Sequence, residues 1–328
     1  MTRRTRPTRR AVLGAALSAG LAGAWPARAQ GQYPDRPIKL LVPFPAGALT
    51  DSLGRLVAER VRPALGQPLV VENRPGAGTL LGASVTAKSA PDGYNLMVAT
   101  TTTLAISPAM YASSPVAAGD LTGVAMIGSV SLLLATRKDF KPATLKELVA
   151  EMRARPEQLF YGSPGSGTMH HLIVEMLKSE EKVSATHVPY AGSIAAMTDL
   201  ISGRIDFMFL DAVAALPQLS AGKISVIAVA AAKRLAALPN VPTVAESYPQ
   251  VDVQAWQSIA APRGTPADVV QRLNREINRA LDSAEGRAEL MRVGVEGNPM
   301  SVQELNGLIA RDEKRLSGLV RALGIKAS

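Results

Sequence analysis

Four short glycine-rich segments hold the residues whose types and spacing could do chemistry. They are PFPAGALTD (43–51), NRPGAGTLLG (73–82), GSPGSGT (162–168) and PYAGS (189–193). Each follows an apolar, strand-like run and precedes an amphipathic one. In open α/β sheets, ligands sit beyond the carboxyl ends of strands, where loops open into helices. Glycine lets backbone come close to a ligand or take positive φ. A helix start adds unpaired N–H groups and the positive end of a dipole, which together attract an anion. The first corner has no lysine of the kind that phosphate-binding turns often carry. The chemistry expected of these corners is reversible capture of an anion, largely by backbone.

Reactive alternatives fit less well. GAGTLLG (76–82) approximates a dinucleotide fingerprint, but its spacing is GxGxxxG, Arg74 and Pro75 separate it from its strand, and the next strand ends in threonine rather than an acid. GSPGSG beside His170 and His171 invites a serine hydrolase, yet neither serine meets G-x-S-x-G. Adjacent histidines lie on different faces of a helix, whereas a metal pair wants i, i+4 spacing. One of them is expected to pack or cap and the other to be solvated. His187 reads as a core or inter-strand residue. Asp206 and Asp211 lie five apart across a strand end, where turn and cap roles are commoner than a catalytic pair. Trp256 reads as interdomain packing. No base, nucleophile or metal set stands out; no cofactor, metal or catalytic residue is expected.

The start of the chain belongs to export. TRRTRPTRR, then the apolar AVLGAALSAGLAGAW, then ARA make the three regions of a signal peptide. Arg9–Arg10 ahead of the apolar run fit the twin-arginine form. The run is about fifteen residues, short of the ~20 that span a bilayer. Cleavage is expected after Ala29, leaving Gln30–Ser328 in the periplasm. Removing six arginines and no acid takes the formal charge from +9 to +3, so the basic pI is poor ground for nucleic-acid binding. Aromatic content of 4% argues against a base-stacking surface. The absence of cysteine excludes disulfide, zinc-thiolate and thiol-nucleophile chemistry. No later stretch is apolar enough to span a membrane.

The elements that must position the corners alternate strand and helix. Apolar runs at 38–44, 68–73 and 94–100 read as strands, and 123–137 as one long β-type run. QLFYGS, ATHVPYAG (a strand and turn), FMFLD and ISVIAVA follow as shorter strands. Leu53, Leu56, Val57, Val61 and Leu65 make a helical stripe that Thr50 or Asp51 can cap. Helices are expected at 79–90, 143–156, 168–180, 193–206, 265–283 and 301–324. This predicts an α/β fold of mostly parallel sheets flanked by helices. The length suits two domains. The first would take 30–130 and 253–328, the second 131–252, joined by strands.

Beyond these patterns, YPDRPIKLLVPFPAGALTD, VVENRPGAGTLLG, DGYNLMVAT, GSPGSGTMHHL, HVPYAGSIAAMTDLISGRIDFMF and APRGTPADVVQRLNREINRAL resemble the Bug-type receptors, the substrate-binding proteins of tripartite tricarboxylate transporters. The resemblance runs from Tyr33 to Lys326. It implies a two-domain, type II-like Venus flytrap that closes on a small carboxylate in an interdomain cleft. It also implies delivery to membrane permease subunits by a monomeric receptor. A receptor that has lost its permease and serves as a ligand sensor is the alternative, and an enzyme on the same scaffold a distant third.

The resemblance further implies a set of ligand-binding residues. In the first corner they are Phe44, Pro45, Ala46, Gly47, Ala48, Thr50 and Asp51. The second gives Gly76, Ala77 and Gly78, through backbone shape. Thr101 and Thr102 follow the third strand. Ser163, Ser166, Gly167, Thr168 and His171 come from the third corner, and Tyr190, Ala191, Gly192 and Ser193 from the fourth. Asp211 stands near the family's usual F-D-N, which here reads Phe209–Leu210–Asp211. Two more departures matter. Ala48 replaces the second glycine of the first loop, a strained position if φ must be positive. Ala191–Gly192–Ser193 replaces K-G-G and loses a charge. These changes make a monocarboxylate with an apolar or aromatic body plausible.

Overall fold

The computed structural model describes residues 33–326 except 112, 118 and 252. The export segment, with its Arg9–Arg10 pair and the cleavage expected after Ala29, lies outside the described residues.

From Arg36 the chain builds two sheets. The first opens with β1 (Ile38–Val42), helix α1 (Leu49–Leu65), β2 (Leu69–Asn73), α2 (Leu80–Ala87) and β3 (Asn95–Thr100). β1 runs parallel to both β2 and β3, as right-handed β-α-β crossovers demand. A π-helical turn, Thr102–Ile106, and the short α3 (Ser107–Met110) lead to β4 (Leu121–Val130). The chain then enters the second sheet through β5 (Leu132–Arg137), α4 (Leu145–Ala154), β6 (Phe160–Ser163), α5 (Met169–Glu181), β7 (Thr186–Pro189), α6 (Ser193–Ile201), β8 (Phe207–Asp211), α7 (Ala212–Ser220) and β9 (Ile224–Ala230). It returns by α8 (Val244–Ser247) and β10 (Ala255–Pro262). It ends with α9 (Ala267–Leu281), α10 (Ala284–Arg292), β11 (Val295–Glu296) and α11 (Val302–Ala322).

The six-stranded sheet has the order β11-β4-β10-β3-β1-β2, the five-stranded sheet β7-β6-β8-β5-β9. The strand–helix alternation suggested mostly parallel sheets; the pairing is mixed. β10 comes back from the other sheet and slots antiparallel between β3 and β4. β5 enters antiparallel to β8 and β9. Strands that carry the chain between sheets arrive from the opposite end, so they cannot continue the parallel run. For the same reason the long apolar run over 123–137 is two strands. It breaks at Ser131, where β4 leaves one sheet and β5 joins the other.

Each sheet has its own core. Leu41, Leu80, Met97, Met126, Trp256 and Leu305 cluster on the first. Leu133, Leu200, Ile205, Met208, Leu210 and Val229 cluster on the second. Trp256 is thus packed within the core of the six-stranded lobe, its indole N–H donating to Asp312 at 2.8 Å, rather than sealing one lobe to the other. Helix α1 buries Leu53, Val57, Val61 and Leu65, four residues apart on one face, and stops at Gly66, which takes φ 70°. Among the described residues no helix is long and apolar enough to cross a membrane.

Candidate functional site

Three of the four glycine-rich corners, 43–51, 162–168 and 189–193, reach one cavity of about 60 Å³ at the ends of strands from both sheets. At about 10–15 Å³ per enclosed water, that is room for roughly four to six water-sized groups.

The six-stranded lobe supplies its first wall. Beyond β1 the chain turns through Pro43 and Phe44, and Gly47 takes φ 81° before α1 begins. Phe44, Pro45, Ala48, Leu49 and Thr50 line the cavity. Ala48 is the N-cap residue, at φ −70°, so replacing glycine there causes no strain, and it has no side-chain cap. Neither Thr50 nor Asp51 plays that part. Asp51 instead reaches back to accept from the Gly47 N–H (2.9 Å), and it holds Arg55 (3.1 Å) and Asn73 (2.9 Å). Burial pushes its carboxyl pKa up, but these hydrogen bonds together outweigh burial and hold it below the ordinary value. Asp51 therefore braces the loop from behind.

β3 and β10 form the floor, with Thr100, Thr101, Thr102, Ala255, Trp256 and Gln257 on the wall. The Trp256 N–H donates to the Thr101 hydroxyl at 2.9 Å. The Gln257 amide nitrogen donates to Thr50 Oγ1 at 3.3 Å, while its Oε1 is buried with no protein partner.

The five-stranded lobe closes the other side with Pro164, Thr168, Met169, His170, Gly192, Ser193 and Asp211. Thr168 is the N-cap of α5, and its hydroxyl donates to Gly165 O at 2.9 Å. The Met169 N–H reaches across to the Thr102 hydroxyl at 3.3 Å. Gly192 takes φ 126°, and a Cβ there would point to Pro45 Cγ at 3.9 Å. Leu49, Met169 and Ser193 open α1, α5 and α6, so three helix N-termini meet at the cavity. Among the described residues no lysine or arginine is on its wall. Such a set of N–H groups and hydroxyls can hold an anion without a cationic side chain.

The polar end of the cavity is one that sequence reasoning assigned in half. His170 Nε2 lies 3.5 Å from Asp211 Oδ1, and both ring nitrogens of His170 are buried without a hydrogen bond. Asp211 was expected here; His170 was read as packing, capping or solvated. Its signal was indirect: it sits two residues after the Thr168 cap, where α5 points into the cavity. Asp206 is separate, holding the Phe160 N–H (2.9 Å) and Arg137 (3.0 Å), so the two acids do not form a pair.

Ten of the expected residues reach the wall: Phe44, Pro45, Ala48, Thr50, Thr101, Thr102, Thr168, Gly192, Ser193 and Asp211. The others stand behind or beside it. Ala46, Gly47 and Ala191 are exposed. Gly76, Ala77 and Gly78 form a turn with φ of 135°, 49° and 56°, and the Gly78 carbonyl accepts from Ser107 at 2.6 Å. A Cβ on Gly78 would crowd Ser107 Oγ at 3.0 Å within its own lobe, and one on Gly167 would overlap Met110 Sδ at 1.9 Å, so Gly167 serves the contact between lobes. Tyr190 donates to Asp199 at 2.9 Å.

Ser163 and His171 are tied up in a buried brace under the third corner. Ser163 Oγ pairs with His187 Nε2 at 2.7 Å and with Gly165 O at 3.0 Å. His171 Nδ1 accepts from the Gly167 N–H at 3.1 Å. The His171 and His187 rings stack at 4.0 Å, and Tyr161 covers His187 at 4.8 Å. Burial lowers the His171 pKa to about 4, Glu175 partly opposing it. Burial and the neighbouring His171 lower His187 to about 3. Ser163 is fully buried, so its hydroxyl serves the loop.

The chain matches the tripartite tricarboxylate transporter family receptor model over residues 53–325. It is 35% identical to protein BugT of Bordetella pertussis over 90% of this chain and 91% of that one. A Rhodopseudomonas palustris protein solved with adipate superposes with a TM-score of 0.84 at 33% identity, covering 90% of this chain and all of its own. MatC from Rhodopseudomonas palustris with bound malate gives 0.80 at 33% identity, over 88% of this chain and all of its own.

Proposed function

Since the chain belongs to the tripartite tricarboxylate transporter receptor family, we propose that it is an exported periplasmic receptor that closes on a small carboxylate and delivers it to a membrane permease. The observation that carries this reading is the meeting of three helix N-termini, from two lobes, at one cavity with no lysine or arginine among the described residues of its wall. A carboxylate is the anion such a cradle suits: two oxygens accept from N–H groups and hydroxyls, and closure removes water from around them. The similarity to proteins solved with adipate and malate supports the same ligand class.

The division of labour follows. Residues 30–130 with 253–328 make one jaw, and 131–252 the other. Phe44, Ala48, Thr50, Thr101, Thr102, Thr168, Gly192 and Ser193 touch the ligand. Asp51, Ser163 and His171 keep the loops in shape. Export uses the Arg9–Arg10 signal, with cleavage after Ala29.

Calorimetry against mono-, di- and tricarboxylates tests the proposal, together with native mass spectrometry of protein purified gently from the periplasm. One carboxylate bound per chain, unchanged after release, is the expected result. A folded protein that binds none of them, or that converts one to product, overturns it.

A further inference from the structure

We propose that His170 and Asp211 make the ligand's second polar contact, selecting a carboxylate of net charge no more negative than −1 that carries a hydrogen-bond-donating hydroxyl or ammonium group. This rests on the receptor reading above and narrows it.

The inference starts from side chains that the fold leaves unused. Asp211 is the N-cap residue of α7, yet its carboxylate caps nothing there. The ionisable side chain paired with it is His170, at 3.5 Å, beyond a good hydrogen bond. Both groups are 14% exposed and line the cavity. Gln257 also lines it, is 8% exposed and has a buried Oε1 without a protein partner. Buried polar atoms are seldom left without a partner, so two such side chains, His170 and Gln257, beside the Asp211 carboxylate on one cavity point to a partner that arrives with the ligand.

The chemistry of that partner follows from charge. Among the described residues Asp211 is the single carboxylate on the wall, and no lysine or arginine there offsets it. A neutral imidazole can turn one N–H toward Asp211 and leave the other nitrogen as an acceptor. The polar end then offers acceptors: the Asp211 oxygens, Gln257 Oε1 and one nitrogen of His170. A ligand hydroxyl or ammonium satisfies them. A second carboxylate would bring like charge against Asp211 in a closed site, where repulsion is little screened. Helix starts at Leu49, Met169 and Ser193 are left to take the carboxylate, and Phe44, Leu132 and Val130 add apolar surface to the same wall.

A matched series of four-carbon acids tests this by calorimetry at pH 7.5: butyrate, 4-hydroxybutyrate, 4-aminobutyrate and succinate. The corresponding three-, five- and six-carbon series keep chain length from deciding the result. In the best-fitting length, the hydroxy and amino acids should bind about fivefold tighter than the plain acid, the scale of one net hydrogen bond. The dicarboxylate should bind weakest. Asp211→Asn should erase the preference for the amino acid and improve the dicarboxylate about fivefold or more. His170→Gln, the second variant, should weaken the hydroxy and amino acids without helping the dicarboxylate. Melting followed by circular dichroism confirms that both variants fold. A dicarboxylate that wins in the wild type, or an unchanged order in both variants, overturns the inference and leaves the carboxylate receptor standing. No binding by any series overturns both.

Discussion

The backbone N–H of Met169 donates to the Thr102 hydroxyl across 3.3 Å, joining the start of α5 in one lobe to the turn after β3 in the other. Both residues also line the cavity, so the bond forms where the proposed closure would enclose a ligand. Thr102→Val keeps the shape of the side chain and removes the acceptor. Affinity for a bound carboxylate should fall about three- to tenfold, the worth of a net hydrogen bond of roughly 0.5–1.5 kcal/mol. Small-angle scattering should show the ligand-free variant more expanded than the wild type. Unchanged affinity and unchanged scattering would remove this bond from the closing mechanism.

A second lobe-to-lobe contact depends on a missing side chain. Gly167 has φ 77°, and a Cβ there would lie 1.9 Å from Met110 Sδ. Gly167→Ala should cost stability by about 1–2 kcal/mol from the left-handed backbone alone. It should also weaken ligand binding by displacing Met110. Adding Met110→Ala should restore binding while leaving the backbone penalty in the melting temperature. If the double variant binds no better than the single one, the clash is not what matters.

Asp51 makes its case by removal. It holds Gly47, Arg55 and Asn73 without reaching the cavity. Asp51→Ala should therefore lower affinity at least about tenfold by releasing the first corner, given that losing a charged hydrogen-bond partner costs ~1.5–3 kcal/mol. Arg74→Ala, which loses only a half-exposed pairing to Glu72, should leave affinity within about twofold, as surface pairs contribute little. The reverse ranking, read by calorimetry, would point to a side-chain charge clamp.

These three residues also show what the sequence could tell. The corners were visible because proline and glycine must stand where strands end and backbone turns, and the helical stripe of α1 follows from spacing alone. The direction of each side chain was not visible. Asp51 looked like a helix cap or a ligand group, and only the fold brings Asn73 and Gly47 around it. Gly78 and Gly167 look like cradle residues, yet their lack of a Cβ serves contacts with Ser107 and Met110 from elements distant in sequence. The helix α7 was missed because Pro217 lies inside it. His170 was set aside because adjacent histidines do not make a metal pair. That argument is sound for metals and silent about ligands.

The buried brace under the third corner should make the protein sensitive to acid. His171 and His187 have pKa values of about 4 and about 3 in the fold, against an ordinary 6.5. Between those values the unfolded chain binds protons that the folded chain refuses. Their contribution is therefore full above about pH 6.5 and declines as pH falls towards 4 and then 3. For His171 the swing is about 3 kcal/mol. Chemical unfolding at pH 7.5, 6 and 5 should show the loss. His187→Asn should be less stable at pH 7.5, through loss of the bond to Ser163, but should lose less on acidification. A wild-type stability flat from pH 7.5 to 5 would remove the brace as an acid-sensitive element.

The last prediction concerns salt. A carboxylate held by lysine or arginine at a surface loses affinity as ionic strength rises, because mobile ions screen the pair over about 10 Å at 0.1 M. Here the described residues of the wall include neither, and the positive ends of α1, α5 and α6 are fixed backbone dipoles at the cavity. In the proposed receptor, closure on the ligand would keep counter-ions out of that space. Affinity for the tightest carboxylate should therefore change less than about threefold between 20 mM and 500 mM sodium chloride. The cradle itself is tested by Gly192→Val, since Gly192 has φ 126° beside Pro45, where a branched side chain both strains the backbone and crowds the start of α6. That variant should bind at least about tenfold more weakly at both salt concentrations. A steep loss of wild-type affinity with salt, combined with normal binding by Gly192→Val, would replace the backbone cradle with long-range attraction by charges outside the cavity.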